Sequence, residues 1–281
     1  MSNKIAVLMT CHNRKQVTLA CLERVQYLQP HAEVYCVDDA SNDGTAEAIK
    51  EKFPKVHVIA GNGHLFWCRG MNLAWKTAKR EYDYDFYIWL NDDLLLYDHA
   101  FEELMSCCHE NDDYAIISGL VQGEKTKKAV YGGYDDKHKI IEPTGAMRPI
   151  RNLNGNFVVV PQKVFKEIGF FDDYYIHDIG DVDYGLMALG RGIPVLTTKS
   201  FIGSTDEGLK TKSHRIRKEG VGLVARFKRL YSPLGCPPHI HYHFFVKNYG
   251  YLKAIAYVCY LFFINLLPDP LFNLIFKRYN G

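Results

Sequence analysis

The sequence predicts an α/β protein: a mostly parallel sheet with helices on both faces, followed by a C-terminal helical extension. Apolar runs of strand length alternate with amphipathic, helix-length segments through the first half of the chain. This alternation is expected where crossover helices join parallel strands. Hydrophobic residues make up 47% and charged residues 23% of the 281 residues, which is ordinary for a globular protein. A long apolar stretch near the end of the chain predicts the helical extension.

The first half of the chain contains four predicted strands and three predicted helices. In chain order they are a strand at 5–9, a helix at 16–28, a strand at 34–37, a helix at 45–53, a strand at 56–59, a helix at 68–78 and a strand at 86–90. The last strand consists only of apolar and aromatic residues, and we therefore expect it to be buried.

The second half is less regular. Residues 118–134 have the pattern of strands joined by Gly-rich turns, and an apolar run at 157–160 follows Asn154-Gly155-Asn156. The further elements are a helix that begins near Pro161, a helix at 181–189 and a strand at 193–196. The polar and basic segment 204–220 has few apolar anchors, which predicts a mobile loop or a loop with a short helix.

We divide the chain into a domain at 1–200 and a loop with a helical extension at 201–281. The extension contains a nearly unbroken apolar stretch at 254–267, flanked by Lys247, Lys253, Lys277 and Arg278. The stretch is shorter than the roughly 20 residues that a membrane-spanning helix needs. A helix lying in the membrane interface fits this pattern. A helix packed on the first domain, or against a second copy in a homodimer, fits it as well.

Charge and cysteine usage narrow the function classes. A formal net charge of +2 gives no reason to expect a nucleic-acid partner. The eight cysteines show no paired metal-binding spacing, and residues 1–4 lead directly into a strand rather than a secretory signal. We therefore expect a cytoplasmic protein with reduced thiols, lying on the inner face of the cell membrane if the apolar stretch is interfacial.

Three polar clusters follow predicted strands, at residues 10–13, at Asp38-Asp39 and at Asn91-Asp92-Asp93. Ligands of open α/β sheets bind beyond the carboxyl ends of the strands, so we expect the clusters to converge on one edge. Adjacent carboxylates repel each other unless a cation lies between them, and a diphosphate-bound Mg²⁺ or Mn²⁺ suits such hard oxygen ligands. A polar turn is the alternative for the last cluster, since Asn and Asp are favoured in turns.

These clusters lie in segments that resemble glycosyltransferase family 2, the inverting nucleotide-sugar transferases with a GT-A (Rossmann-like) fold. The resemblance extends over about residues 4–198 and is carried by segments 7–14, 37–45, Asn91-Asp92-Asp93 and 180–184. Within the family, residues 67–72 and 180–184 resemble a rhamnosyltransferase-like bacterial branch.

The resemblance implies a role for several residues. Asp38 would contact the nucleobase, Asp93 would bind the metal, and Asp181 would be the general base. The other nucleotide-binding positions that it implies are Thr10, Asn13, Arg14, Asp39, Arg69, Asn72 and Asp92. The chain has Asn91 where many members have Asp, which removes one charge from the metal motif. By position, His214 is the candidate for a further metal ligand.

Elementary chemistry offers alternatives at some of these positions. Ser41 or Asp43 is expected to cap the helix that begins at Thr45. Arg69 either neutralises a diphosphate or lies on a helix surface. Trp67 either contacts sugar or belongs to the core.

Asp181 is suited to take the proton of an acceptor hydroxyl in an inverting transfer. Asp183 lies about 200° further round a helix, so only one of the two carboxylates can face the site. A helix N-cap is the alternative role for Asp181.

Together these patterns predict a metal-dependent, inverting glycosyltransferase that moves a sugar from a UDP- or dTDP-type donor to a hydroxyl acceptor. By analogy with the family, the acceptor is a bacterial polysaccharide or a lipid-linked glycan. A sugar nucleotidyltransferase is one alternative, but residues 11–15 lack the Gly-rich, basic phosphate loop that it would need. A non-catalytic nucleotide- or sugar-binding protein on the same fold is another, and the carboxylates of Asp93 and Asp181 argue against it.

Overall fold

The computed structural model describes residues 3–206 and 216–276. The chain divides into two compact units, Met1–Glu207 and Gly208–Gly281. The first is built on a sheet with helices on both faces, and the described part of the second is helical. This architecture confirms the predicted α/β fold class.

The strands of the first unit form a nine-stranded sheet and a small two-stranded sheet. They are β1 (Ile5–Cys11), β2 (Glu33–Asp38), β3 (His57–Ala60), β4 (Phe86–Leu90), β5 (Leu95–Leu96), β6 (Ile116–Gly123), β7 (Ala129–Tyr131), β8 (Gly133–Tyr134), β9 (Asn152–Leu153), β10 (Phe157–Pro161) and β11 (Val195–Thr205). The order in the main sheet is β3-β2-β1-β4-β10-β6-β11-β5, with β7 paired to β6, while β8 and β9 form the small sheet.

Strand direction defines the edge where the polar clusters meet. The neighbours β3, β2, β1 and β4 pair in parallel, so the carboxyl ends of β1, β2 and β4 lie at the same edge. β10 runs antiparallel between β4 and β6, which brings its start beside the end of β4. The N–H of Asn91 donates to the carbonyl of Asn156 at 2.8 Å across this junction. The edge predicted from the strand ends is therefore present, and residues 154–156 join it.

Six helices cover the main sheet in two layers. They are α1 (Lys15–Leu28), α2 (Thr45–Lys52), α3 (Phe66–Glu81), α4 (Ala100–His109), α5 (Gln162–Ile168) and α6 (Gly180–Gly190). Alternate residues of each strand point to opposite faces. In β1, Val7 and Met9 belong to the core shared with α1, α2 and α4, whereas Ala6 and Leu8 belong to the core shared with α3, α5 and α6.

An aromatic cluster fills the core beneath α3. The ring of Trp75 lies 5.5–5.6 Å, centroid to centroid, from Tyr87 and Trp89 of β4 and from Tyr184 of α6. All four side chains are fully buried. These aromatic residues therefore pack the core rather than a ligand surface.

The second unit contains α7 (Leu223–Leu230), α8 (Pro238–Tyr249), α9 (Tyr251–Leu266) and α10 (Asp269–Phe276) among its described residues. Leu230, Cys236 and Leu261 form a small buried core between these helices.

Two buried arginines close the carboxyl end of α9. Arg217 Nε donates to the carbonyl of Ile264 at 2.8 Å, and Arg226 Nη1 donates to that of Leu267 at 2.7 Å. Both guanidinium groups also pair with Asp269. Cations at a helix carboxyl end satisfy its last carbonyls and the helix dipole.

The predicted loop at 204–220 begins later than expected. β11 continues to Thr205 instead of ending at Leu196, because its last residues pair with β6. Ser204 and Thr205 are therefore strand residues, and this part of the prediction was wrong. Residues 207–215 lie outside the described part of the chain.

Other predictions also fall outside the described residues. His214, the candidate for a further metal ligand, is one of them, and so are the flanking charges Lys277 and Arg278.

Candidate active site

Asn13 ties the loop after β1 to the loop after β2. Its backbone is left-handed, with φ of +51°, and its N–H donates to Ser41 Oγ at 2.9 Å. In return, the N–H of Asn42 donates to Asn13 Oδ1 at 2.8 Å. Asn13 thus holds two loops of the site in place through its backbone and its side chain.

Asp43 organises the starts of two helices. Its carboxylate accepts hydrogen bonds from the N–H of Thr45 in α2 at 3.1 Å and from the N–H of Lys15 in α1 at 3.0 Å. The Thr45 hydroxyl also donates to this carboxylate. The pKa of Asp43 is lowered by these hydrogen bonds, and the bond from the hydroxyl has the largest effect. The N-cap position of α2 belongs to Gly44, so neither Asp43 nor Ser41 is its N-cap, although Asp43 accepts the N–H of Thr45 from the residue before it and Ser41 accepts from Asn13.

The carboxylate of Asp39 is engaged in hydrogen bonds within the protein. It is buried, and its carboxylate accepts hydrogen bonds from the N–H groups of Gly63, Leu65 and Phe66 at 2.7, 2.9 and 3.0 Å. Backbone N–H groups at a helix start need such acceptors. This remote cap explains why α3 begins at Phe66 rather than at Cys68, as the sequence predicted.

Asp38, one residue earlier, keeps more capacity for a ligand. Its Oδ1 accepts one hydrogen bond from the N–H of Ser41 at 2.8 Å. A carboxylate offers about four acceptor positions, so this bond leaves others for a donor group such as a nucleobase N–H.

One guanidinium bridges Asp92 and Asp93. Arg14 donates from Nη1 to Asp92 Oδ1 at 2.8 Å and from Nη2 to Asp93 Oδ2 at 2.6 Å. Thr18, one turn further along α1, donates from Oγ1 to Asp92 Oδ2 at 3.0 Å. Each oxygen of Asp92 therefore accepts a hydrogen bond from the protein, and Asp92 holds Arg14 in position.

The two carboxylates of this pair lie in different surroundings. Asp92 is 3% exposed, and burial raises its pKa to about 6, an effect that the charge of Arg14 opposes and that of Asp93 reinforces. The side chain of Asp93 is 29% exposed. Asp93 is thus the carboxylate of the pair that is open to solvent.

The Trp67 side chain lies between the end of β4 and the start of α6. Its indole Nε1 donates to Asn91 Oδ1 at 2.7 Å. A Cβ on Gly155 would lie 2.9 Å from the Trp67 ring and 3.0 Å from Asp181 Cβ, so only glycine fits between them. The N–H of Gly155 donates to Asp181 Oδ2 at 2.7 Å. Asn91 therefore orients Trp67 through its side-chain oxygen.

Asp181 and Asp183 have separate environments, as their helical spacing predicts. Asp183 is 1% exposed and lies beside Tyr175, whose pKa is raised by burial and by the charge of Asp183. Asp181 is half-buried, and its Oδ1 accepts from the N–H of Val182 at 2.8 Å. The N-cap position of α6 belongs to Ile179, so the alternative of an N-cap role for Asp181 was wrong.

Four N–H groups at the start of α3 are already used within the protein. The N–H groups of Cys68 and Arg69 donate to the carbonyl of Ile176, at 3.1 and 3.4 Å, and those of Leu65 and Phe66 donate to Asp39. Phosphate binding at a helix start requires such groups to be available. The side chain of Arg69 is exposed on this first turn.

Asn72 and Thr10 make close contacts within the protein, and their predicted role in nucleotide binding stays a prediction. Asn72 is buried and donates from Nδ2 to the carbonyl of Phe171 at 3.1 Å and to Asp173 Oδ1 at 2.6 Å. Thr10, near the end of β1, lies close to Gly70. A side chain at position 70 would collide with the Thr10 hydroxyl.

Three residues of the edge were not predicted from the sequence. They are Thr18, which holds Asp92, Gly155, which holds Asp181, and Tyr134, whose pKa is raised by burial and by the charge of Asp181. The Asn154-Gly155-Asn156 motif before β10 was a usable signal for Gly155. Thr18 and Tyr134 carried no signal, because their roles depend on which helix or strand packs beside them.

Asp93 fits a divalent ion only together with a ligand. In residues 3–206 and 216–276, no group of three or more His, Cys, Asp and Glu side chains could hold a metal by itself. Mg²⁺ is commonly held by one or two carboxylates plus substrate phosphates. The solvent-open carboxylate of Asp93 suits that arrangement, with a diphosphate supplying the further oxygens.

The fold and this edge define a class of α/β protein that binds its ligand beyond the carboxyl ends of parallel strands. The family model described as Glycosyl transferase family 2 matches residues 6–168, more than half of the chain. The chain therefore belongs to glycosyltransferase family 2, a family of sugar-transferring enzymes, as its motifs predicted.

Solved structures of S. aureus TarS 1-349 are similar to this chain. Its complex with UDP has a TM-score of 0.54 and 12% identity, and the match covers 72% of this chain and 60% of that one. The structure described without UDP has a TM-score of 0.54 and 11% identity, covering 89% of this chain and 71% of the other. At these identities the likeness shows the fold, and the expected GT-A architecture is confirmed. This chain spans 60% of the length of the first of these structures. A search of curated proteins gave no match.

Proposed function

We propose that this protein is a metal-dependent, inverting glycosyltransferase acting on a UDP- or dTDP-type nucleotide sugar and a hydroxyl acceptor. The observation that carries the proposal is the convergence of Asp38, Asp93 and Asp181 on one edge of the sheet. They supply an acceptor for a nucleobase, an oxygen ligand for an ion and a base for a hydroxyl, the three functions that such a transfer needs.

The donor would lie along this edge. Uracil and thymine each carry an N–H group that Asp38 would accept, so both nucleotides suit the site. The complex of TarS with UDP supports a uridine nucleotide as the first one to test. Arg14 and Arg69 are the cationic side chains of the edge that would face the diphosphate, since both are at least partly exposed.

Asp181 would act as the general base. The N–H groups of Gly155 and Val182 fix its carboxylate. The carboxylate takes the proton of the acceptor hydroxyl while the hydroxyl oxygen bonds to the anomeric carbon. The bond from that carbon to the diphosphate oxygen breaks on the opposite face, so the anomeric configuration inverts.

Asp93 would hold the Mn²⁺ or Mg²⁺ ion, which when bound supplies positive charge to the leaving diphosphate. Calorimetric titration of UDP and dTDP, each with and without Mn²⁺, tests this role. We expect Asp93→Ala to remove the metal-dependent part of the affinity. Asp98→Ala is the matched control, because Asp98 is an exposed carboxylate paired with Arg24. Unchanged metal-dependent affinity in Asp93→Ala would contradict the role.

We further propose that the acceptor is a bacterial polysaccharide or lipid-linked glycan, and that the extension meets the cytoplasmic surface of the membrane through 254–267. Leu252, Ile255, Phe263 and Leu266 of α9 are 85%, 52%, 51% and 57% exposed. Their spacing puts them, with the exposed Cys259, on one side of the helix, here called the exposed face of α9.

The opposite side of α9 is packed. Ala254, Leu261 and Ile264 are buried there. Packing within the unit and contact with a membrane are therefore compatible, because one side of the helix is buried while the other is exposed. No helix in residues 3–206 and 216–276 is long and apolar enough to cross a membrane. Lys247 and Lys253 lie near the start of α9, and cations beside an apolar helix face favour anionic lipid headgroups.

Co-sedimentation with vesicles containing an anionic phospholipid tests the membrane contact. We expect the wild type to bind these vesicles, and the double variant Ile255→Glu/Phe263→Glu to lose binding while keeping its fold, since both side chains are exposed. Tyr27→Glu, at a 73% exposed apolar position of α1, is the control. A wild type that ignores vesicles but dissociates from dimer to monomer in the double variant would assign the face to a second copy instead.

A further inference from the structure

Arg14 and a divalent ion require the same carboxylate. We propose that Arg14 competes with the ion for Asp93, and that the diphosphate of the donor draws Arg14 away so that ion and nucleotide bind together. This inference rests on the proposed metal-dependent transfer and adds the residue that couples its two ligands.

The first support is the geometry of the Arg14 guanidinium, whose two terminal nitrogens form a fork. The two terminal nitrogens of Arg14 reach one oxygen each on Asp92 and Asp93, at 2.8 and 2.6 Å. An ion on Asp93 would either replace Nη2 or share the carboxylate with it, and two cations on one carboxylate repel each other.

The second support is the difference between the two carboxylates. Asp92 is 3% exposed and is held by Thr18 as well as by Arg14, so it is fixed. The side chains of Arg14 and Asp93 are 45% and 29% exposed, so their contact is the one that faces solvent and ligand. Arg14 can leave Asp93 while its backbone stays in place, because its carbonyl accepts the N–H of Thr18 at 2.9 Å.

The third support is the chemistry of the guanidinium. Its planar fork fits phosphate oxygens as well as it fits carboxylates, so a diphosphate offers Arg14 an equivalent partner. Once Arg14 has moved, Asp93 is left to the ion. Each ligand then raises the affinity for the other by the same factor, as linkage requires.

Electron paramagnetic resonance of free Mn²⁺ measures ion binding without any turnover. In the absence of nucleotide, we expect Arg14→Gln to bind Mn²⁺ at least roughly tenfold more tightly than the wild type, equal to about 1.4 kcal/mol. We also expect UDP to raise the Mn²⁺ affinity of the wild type strongly and that of Arg14→Gln much less. Arg24→Gln is the matched control, because it removes the same charge at a residue of α1 that is paired with Asp98.

Equal or weaker Mn²⁺ binding by Arg14→Gln without nucleotide would overturn the inference. Failure of the proposed function has a different signature, since the wild type would then bind no Mn²⁺ even with UDP. If Arg14→Gln does not fold, Arg14→Lys can be used in its place. This variant keeps the positive charge but cannot contact Asp92 and Asp93 with two separate nitrogens. It should bind Mn²⁺ more tightly than the wild type, and wild-type affinity in it would count against the competition.

Discussion

The two units of this chain distribute their apolar residues in opposite ways. Six of the large apolar side chains that are exposed lie in residues 3–206, and fourteen lie in the much shorter range 216–276. In the first unit, helices cover both faces of the sheet, and its polar edge carries the converging carboxylates. In the second, α9 buries only one side, and α10 buries no residue. From this comparison we expect the chemistry to belong to the first unit and the second to provide a contact surface.

The largest expected effect locates the chemistry in the first unit. Asp181→Asn should lower turnover by at least about a hundredfold, because the amide cannot accept the proton of the attacking hydroxyl. Donor binding, measured by calorimetry, should stay the same, since the proposed base would act on the acceptor. Near-normal transfer by this variant would move the base elsewhere, with Asp183 to be tested next.

The next effect concerns how the first unit is held together. Asp39→Ala should lower its free energy of unfolding by about 3 kcal/mol, because three backbone N–H groups lose their acceptor. All three tryptophans lie in the first unit, so their fluorescence in urea reports its unfolding alone. Asp98→Ala should leave the midpoint unchanged. A shift as small as that control's would show that solvent replaces the lost acceptor.

Two buried titratable groups should give the units opposite pH dependences. In the first unit, burial raises the pKa of Asp92 to about 6, from 3.8. The unfolded chain therefore loses its proton at lower pH, and the stability of this unit should fall as pH rises from about 4 to 6, by an amount on the order of 2 kcal/mol. In the second unit, burial lowers the pKa of His241 to about 4, from 6.5. The unfolded chain binds the proton first here, so stability should rise over about the same range.

Urea unfolding by tryptophan fluorescence measures the first trend, and hydrogen exchange of the α8 amides measures the second. Asp92→Asn should flatten the first profile only, and His241→Gln the second only. Parallel profiles in the two units would refute this distinction between them.

The smallest expected effect sharpens the role of the second unit. Lys253→Gln should weaken binding to anionic vesicles by about 1 kcal/mol, or roughly fivefold, because one lysine near the surface is lost. Binding to uncharged vesicles should not change. Equal loss on both kinds of vesicle would mean that Lys253 acts through folding rather than through charge.

Much of the first unit follows from local sequence pattern. The apolar run of β4 and the acidic residues after it predicted both a central strand and the edge where it ends, because strand ends of a parallel sheet are marked by a change from apolar to polar residues. The start of α3 could not be predicted in the same way, since its cap is Asp39, a residue distant in sequence. The engagement of Asp92 depends on Thr18 and Arg14, which reach it only after α1 has packed.

The second unit was less predictable for a related reason. An apolar stretch at 254–267 predicts a helix, but composition does not tell which side of it packs. The buried side was decided by contacts with α7 and α8, and the helix end was fixed by Arg217 and Arg226, which bind carbonyl groups. Such interactions join segments whose pairing has no local signature.

Hydrogen exchange of the full-length protein with two separate ligands tests the division of roles most directly. Addition of UDP with Mn²⁺ should protect amides at 10–15, 38–45, 61–69 and 91–93 and leave 251–266 unchanged. Addition of anionic vesicles should protect 251–266 and leave those four segments unchanged. Protection of 251–266 by the nucleotide, or of the sheet edge by the vesicles, would contradict the account.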